Sequence, residues 1–368
     1  MLANKTKLDT MEEKKNTDNP IVLVLAADQN YFEGLWVTLV SLFLCTNTSR
    51  HLKIYVFDGG IDNEGKDKLV SVLTKLNTNF SIRWIEPNIS RFTGFLSMGG
   101  NYMAYSRLLI PNNIEDPKVI WLDVDLLVLK DIETLWEVEM GEKALAACLE
   151  APHTLFRDDV NNLESFDIAK DAPYYNTGVL VMDNEKLIQE GFVEKNLDYL
   201  DAELGNYKFH DQSSINVICA GNIFTLDRSY NQLNTIGNGF KFDLEIAKAN
   251  DCIYHFLQRP KPWQKYRRTV FSQIMYTIAH VSGLELRKLS SFKNLVERGK
   301  HRYPVLLHYI SLAFGHLTRR SKYGAEIVNE QFANIKKENE QLNRHRDEVE
   351  NILQLVVTKY LKKIGERG

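Results

Sequence analysis

The chain has 368 residues, 44% hydrophobic and 25% charged, which suits one large α/β domain or one domain with an appendage. A net charge of -3 offers no global field for nucleic acid. Four widely spaced cysteines, Cys45, Cys148, Cys219 and Cys252, form no CxxC pair; this argues against a zinc knuckle or dithiol redox motif and fits reduced structural thiols.

Residues 1–19 are polar and charged and lack the apolar stretch of a signal peptide, so they read as a disordered leader. "IVLVLAAD", residues 21–28, is a continuous apolar run with a polar end, the pattern of a strand buried on both faces of a parallel sheet. Residues 31–45 have helical length, and the uncharged run over 34–49 is too short and too polar for a membrane span. "LKIYVFDGG" is a second strand. Residues 62–76 follow as a helix with Leu69, Val72, Leu73 and Leu76 on one face, and "FSIRWIE" is a third strand. Strands alternating with helices imply βαβ units and a mostly parallel sheet, whose ligands bind beyond the C-terminal strand ends. Neither a GxGxxG nor a GxxxxGK[ST] motif follows the first strand, so a nucleotide would have to be held by another route.

"KVIWLDVDLLVLKD", residues 118–131, reads as a buried strand interrupted by Asp123 and Asp125. In a regular strand alternate residues share a face. Two carboxylates held that close are unfavourable without a cation, and a hard divalent ion such as Mn²⁺ or Mg²⁺ meets the need. "APYYNTGVLVMDNEKL" is a further strand with a polar entrance. "KFHDQSSINVICAG" is a helix with Asp211 in its first turn, and "DCIYHFLQRPKPWQKY" is a short strand followed by a proline-bearing loop.

Taken in order, "AADQNY", "YSRLLIP", "WLDVDLLVL", "YYNTGVLVMD", "HDQSSIN" and "HFLQRPKPW" resemble the family 8 retaining glycosyltransferases, in particular the bacterial lipooligosaccharide galactosyltransferases and, more distantly, glycogenin. The resemblance covers residues 20–266. It implies a single Rossmann-like, nucleotide-sugar-binding domain of the GT-A type with a mixed, mostly parallel sheet. It also implies Mn²⁺, or Mg²⁺, held by Asp123, Asp125 and His255, and Lys261 on the donor diphosphate. Ala26, Asp28, Asn30 and Tyr31 would line the nucleoside pocket, Arg107 would bridge nucleotide-sugar and protein, and Asn176, Asp211 and Gln212 would surround the transferred sugar. The family glycine after "HFx" is Gln258 here and Pro260 is added, a departure from the family pattern in the loop over the phosphates. The implied activity is transfer of a hexose from UDP-galactose or UDP-glucose to a glycan, glycolipid or glycoprotein acceptor. Two rivals are a dehalogenase-like, metal-dependent phosphotransferase with Asp123 as a free nucleophile, and a non-enzymatic sugar-nucleotide-binding scaffold.

Beyond residue 266 the motifs end. Residues 267–323 read as helical, with basic residues flanking apolar and aromatic ones over 300–323, a pattern suited to an anionic membrane surface. The expected location is cytoplasmic, on the inner face of the membrane. From 324 to 368 the chain reads as one long helix, either amphipathic on the core or a coiled coil joining copies through 325–360. Val328, Ile335, Leu342, Val349 and Val356 recur every seventh position, with Phe332, Asn339, Arg346 and Leu353 as mixed companions.

Overall fold

The computed structural model describes residues 19–97, 101–150, 156–161, 163–233, 251–257, 259–265, 269–286 and 344–365. All but the last residue of the 1–19 leader, the basic segment 300–323, Gln258 and the seam positions Val328, Ile335 and Leu342 lie outside these residues.

Strand β1 (Ile21–Ala27) is buried at every position, as its unbroken apolar run requires. It pairs in parallel with β2 (Leu52–Asp58) on one side and β4 (Lys118–Leu122) on the other, and β2 pairs in parallel with β3 (Phe80–Ile85). Strand β7 (Tyr175–Asp183) runs antiparallel between β4 and β6 (Leu145–Leu149), and β8 (Ile223–Thr225) closes the edge parallel to β6. The sheet order is therefore β3-β2-β1-β4-β7-β6-β8, mixed and mostly parallel. Because β7 alone is reversed, its N-terminal residues lie at the same sheet edge as the C-terminal ends of β1, β4 and β6.

A second, three-stranded sheet of β5 (Leu126–Val128), β10 (Ile253–His255) and β9 (Gln232–Leu233) sits beside the first. The expected single strand over 118–131 is thus two strands in two sheets. The chain leaves the first sheet after Leu122 and joins the second at Leu126, and Asp123-Val124-Asp125 is the link. The two aspartates converge because of this break, not because of strand alternation.

Helix α1 (Phe32–Cys45) is buried from Phe32 to Leu44, so it is a core helix covered on all sides. Helix α2 (Asn63–Leu76) is amphipathic. It buries Leu69, Val72, Leu73 and Leu76, and the Asp62 side chain caps it by accepting from the Gly65 N–H at 2.6 Å. Helices α3 (Phe192–Ala202) and α4 (Asp211–Ile218) pack together on the β7 side of the large sheet.

The outer face of α1 is covered by α5 (Val270–Val281) and α6 (Arg344–Gly365), which pack on α1 and on each other. Helix α6 buries Ile352, Leu353, Val356, Val357 and Tyr360. Its Lys363 ammonium donates to the carbonyls of Phe43 and Thr46 at the C-terminal end of α1, where a cation meets otherwise unsatisfied acceptors. Trp36 of α1 donates its indole N–H to Ser282 Oγ at 2.8 Å. Of the seven-residue seam, Leu353 and Val356 are therefore buried against the chain's own helices.

Candidate active site

A cleft of about 800 Å³ opens at the sheet edge where the ends of β1, β4 and β6 and the start of β7 meet. That volume suits a small-molecule ligand. Ala26, Asp28, Asn30, Tyr31, Arg107, Asp123, Asp125, Asn176, Asp211, Gln212, His255 and Lys261 all line it.

At the β1 end, Asp28 turns the chain: its Oδ1 accepts from the backbone N–H of Asn30 at 2.9 Å and of Tyr31 at 3.1 Å, while Oδ2 accepts from Asn101 Nδ2 at 2.8 Å. Ala26 is small and Tyr31 is edge-on to Trp263, with ring centroids 5.9 Å apart. Gly34 is required behind this wall. A Cβ there would fall 2.3 Å from the Val124 carbonyl and 2.8 Å from the Trp263 ring, so only glycine lets α1 approach both the aspartate link and the "KPW" loop.

The centre of the cleft is charged. β10 runs antiparallel to β5 with His255 opposite Leu126, and the Phe256 N–H donates to the Asp125 carbonyl at 2.9 Å. This register places His255 Nε2 3.1 Å from Asp125 Oδ1 and 3.8 Å from Asp123 Oδ2. One ligand atom from each of Asp123, Asp125 and His255 lies within 4.8 Å of the others. Two carboxylate oxygens and an imidazole nitrogen form a donor set that suits Mn²⁺. Lys261, itself buried, donates to Asp125 Oδ2 at 2.6 Å and to the Phe256 carbonyl at 2.5 Å.

The two carboxyls are tuned in opposite directions. Burial opposes ionisation of Asp125, but Lys261 and His255 outweigh it and hold that carboxyl well below the usual range. Burial pushes Asp123 up, and the neighbouring Asp125 charge adds to this, against the pull of Arg107. A cation between them would relieve both the desolvation and the repulsion.

Arg107 is 5% exposed and ties the centre to the far end. Its guanidinium stacks on Trp121, 4.9 Å from the ring centroid, lies 3.0 Å from Asp123 Oδ1, and donates to Thr177 Oγ1 at 2.8 Å. Arg107 Nε is 2.8 Å from Asp211 Oδ2, yet its N–H is directed to the Ala104 carbonyl at 3.1 Å. Asp211 Oδ2 thus has charge contact with Arg107 but no hydrogen-bond donor, and the atom is buried behind the cleft wall. The neighbouring His210 holds a left-handed φ of 59°, which a non-glycine residue adopts only under constraint. Buried Asp159 supplies that constraint, accepting from the N–H groups of Lys208 and Phe209 and from Ser213 Oγ.

Gln212 is fixed at both ends of its amide. Oε1 accepts from the Thr177 N–H at 3.1 Å, and Nε2 donates to Glu150 Oε2 at 3.1 Å. Glu150 also accepts from Asn176 Nδ2 at 2.8 Å. The sequence reading passes over Glu150, although it follows β6 as Asp28 and Asp123 follow β1 and β4, so the same strand-end rule would find it. It also passes over Asn231, whose Oδ1 lies 3.1 Å from His255 Nδ1; a single asparagine in a loop carries no signal of its own.

The family model described as Glycosyl transferase family 8 matches residues 22–267. General stress protein A of Bacillus subtilis (strain 168) is 26% identical over 279 residues, spanning 71% of this chain and 95% of that protein. The lipopolysaccharide 1,2-glucosyltransferase of Escherichia coli (strain K12) is 24% identical over 310 residues, spanning 80% of this chain and 89% of its own length. Among solved structures, the galactosyltransferase LgtC in complex with donor and acceptor sugar analogs superposes with a TM-score of 0.59 at 22% identity, covering 70% of this chain and 95% of that one. The shared architecture is the GT-A fold.

Proposed function

The chain belongs to glycosyl transferase family 8, and from that premise we propose that it moves a hexose, galactose or glucose, from a UDP-sugar to a glycan, glycolipid or glycoprotein acceptor with retention of the anomeric configuration. The observation that carries the reading is one cleft in which three side chains that could hold a metal ion, Asp123, Asp125 and His255, lie beside the buried Lys261 and a polar wall of Glu150, Asp211 and Gln212. The β1 wall, with Asp28, Asn30 and Tyr31, would take the nucleoside.

A divalent ion held by the trio, Mn²⁺ in this reading, would neutralise the diphosphate and ease its departure as a Lewis acid. Lys261 would add a second positive charge beside the leaving phosphate. Asp211, which lines the cleft and pairs with Arg107, would lie beside the sugar and accept from one of its hydroxyls. Gln212 is a neutral amide locked by Thr177 and Glu150, a poor nucleophile but well placed to support positive charge developing at the anomeric carbon. Retention then follows from front-face attack. The acceptor hydroxyl oxygen bonds to the anomeric carbon on the side the phosphate leaves, and its proton passes to that phosphate. A covalent route would instead use Glu150, the anionic oxygen next to Gln212. The phosphotransferase rival requires a free Asp123, whereas Asp123 Oδ1 accepts from Trp121 Nε1 at 2.9 Å and pairs with Arg107.

The deciding experiment incubates the protein with UDP-galactose and UDP-glucose in Mn²⁺, measures UDP release, and follows the best donor into an acceptor screen. The reading expects UDP release and an α-linked product by anomeric proton coupling. No UDP release from any UDP-hexose would refute it, and a sugar adduct on Glu150 by mass spectrometry would replace front-face attack with the covalent route. The proposed place of action is the inner face of the membrane, reached through residues 300–323. Among the described residues no helix is long and apolar enough to cross a membrane.

A further inference from the structure

We infer that Asn231 determines which nitrogen of His255 carries the proton, so that Nε2 is the nitrogen presented to the point where Asp123 and Asp125 converge. The inference rests on the metal reading of that trio. It starts from the backbone. The Gly178 N–H donates to the Asn176 side chain at 2.9 Å, and a backbone N–H can only donate, so the atom it meets is Oδ1. Asn176 Nδ2 then faces the Glu150 carboxylate, which only accepts, at 2.8 Å. The same Oδ1 meets the Asn231 amide at 2.7 Å, and two oxygens would repel there, so Asn231 presents Nδ2. Its Oδ1 is left facing His255 Nδ1 at 3.1 Å, and that contact is attractive only if Nδ1 bears hydrogen. With Nδ1 bonded to Asn231, Nε2, 3.1 Å from Asp125 Oδ1, is the nitrogen whose lone pair a cation between the carboxylates would take up.

Asn231 is 1% exposed, Asn176 4% and His255 3%, so bulk water does not reach this chain to substitute for a missing partner. The small sheet explains why these groups meet. β9 pairs in parallel with β10, His255 opposite Leu233, which sets the residue just before β9 against the ring of His255. Asn231 is a positioning residue in this scheme, since it touches the ligand and not the ion.

Two variants separate positioning from mere packing. Asn231→Leu and Asn231→Asp both lose the Nδ2–H bond to Asn176, but only Asn231→Leu loses the oxygen opposite His255 Nδ1. Mn²⁺ binding by electron paramagnetic resonance is expected to weaken by about 10- to 100-fold in Asn231→Leu, the usual effect of removing a partner of a metal-bound imidazole. Asn231→Asp sets an oxygen against Asn176 Oδ1 but keeps the oxygen opposite His255 Nδ1, and it is expected to bind Mn²⁺ more tightly than Asn231→Leu. Equal weakening in both, or none in Asn231→Leu, would overturn the inference. In the unaltered protein loaded with Zn²⁺ as a diamagnetic probe, histidine ¹⁵N spectra should place the proton of His255 on Nδ1, and a proton on Nε2 would overturn it without any variant. Wild-type protein that bound neither Mn²⁺ nor Zn²⁺ would remove the metal reading and the inference together, an outcome distinct from the other two.

Discussion

The Gly178→Ala variant is a sharp test of how the cleft is built. Gly178 lies in β7 directly behind the His255 ring. An added Cβ would fall 2.3 Å from His255 Cε1, 2.7 Å from Nδ1 and 3.0 Å from Asn176 Oδ1. Non-bonded carbons rest at about 3.5–4.0 Å, so the imidazole must retreat by roughly 1 Å. The backbone is held at this point, since the Asp123 N–H donates to the Gly178 carbonyl at 2.8 Å and the Gly178 N–H donates to Asn176 Oδ1 at 2.9 Å. Metal–ligand distances tolerate about 0.2 Å, so a displaced His255 no longer completes the trio. Mn²⁺ affinity should fall, and kcat/KM for donor cleavage should drop by about 10²-fold, equivalent to about 2.7 kcal/mol of transition-state stabilisation. The assay is UDP release across a Mn²⁺ titration, with thermal melting alongside because overpacking costs about 1–3 kcal/mol of stability. A folded Gly178→Ala protein with an unchanged half-saturating Mn²⁺ concentration would refute the argument that this glycine exists to seat His255.

EDTA should abolish transfer and Mn²⁺ should restore it better than Ca²⁺, whose larger shell suits this donor set poorly; Asp125→Asn should cost at least ~10²-fold in rate, and full activity in EDTA would contradict the metal reading. Deleting residues 344–365 uncovers α1 and removes the burial of Ile352, Leu353, Val356, Val357 and Tyr360. Each such side chain contributes about 1.5–3 kcal/mol when fully buried, so calorimetry should show Tm lowered on the order of 10 °C. Burial pushes the Cys148 and Cys219 thiols up from the ordinary 9.0 to about 12. They stay protonated in the fold while unfolded thiols ionise. Their contribution to stability is therefore intact below pH 9.0 and lost as pH rises toward about 12, which denaturant titrations across that window would register. Liposome co-sedimentation should require anionic lipid and weaken with salt, and sedimentation unaffected by truncation before Lys300 would refute membrane contact through residues 300–323.

The elements were legible because their burial is written locally. The unbroken apolar run of β1 suits a doubly covered strand, and Leu69, Val72, Leu73 and Leu76 fall on one face of α2. The polar residues at the strand ends were also visible, and six motifs in order named the family. What misled was continuity. "WLDVDLLVL" has apolar residues on both sides of its two aspartates and so reads as one strand, and hydropathy does not record which sheet a strand joins, so the crossing between sheets at Asp123–Asp125 was invisible. β6 and β8 were passed over for a related reason: "LAACL" is short, and "IFT" is too brief to show a period.

The sequence by itself determined the inventory, namely a mostly parallel α/β sheet with acids at its C-terminal edge, a histidine before "KPW", and a family. Only the tertiary structure decided the relations among them. The reversal of β7 brings Asn176 and Thr177 to the edge where the other strands end, and the register of β10 on β5 aims His255 at Asp125. Gly34 and Gly178 mark contacts closer than any side chain permits, and Glu150 and Asn231 act through partners 26 and 24 residues away. These are pairwise distances across the fold. A linear pattern encodes which faces are apolar, but not which polar groups will be left facing each other once those faces are covered.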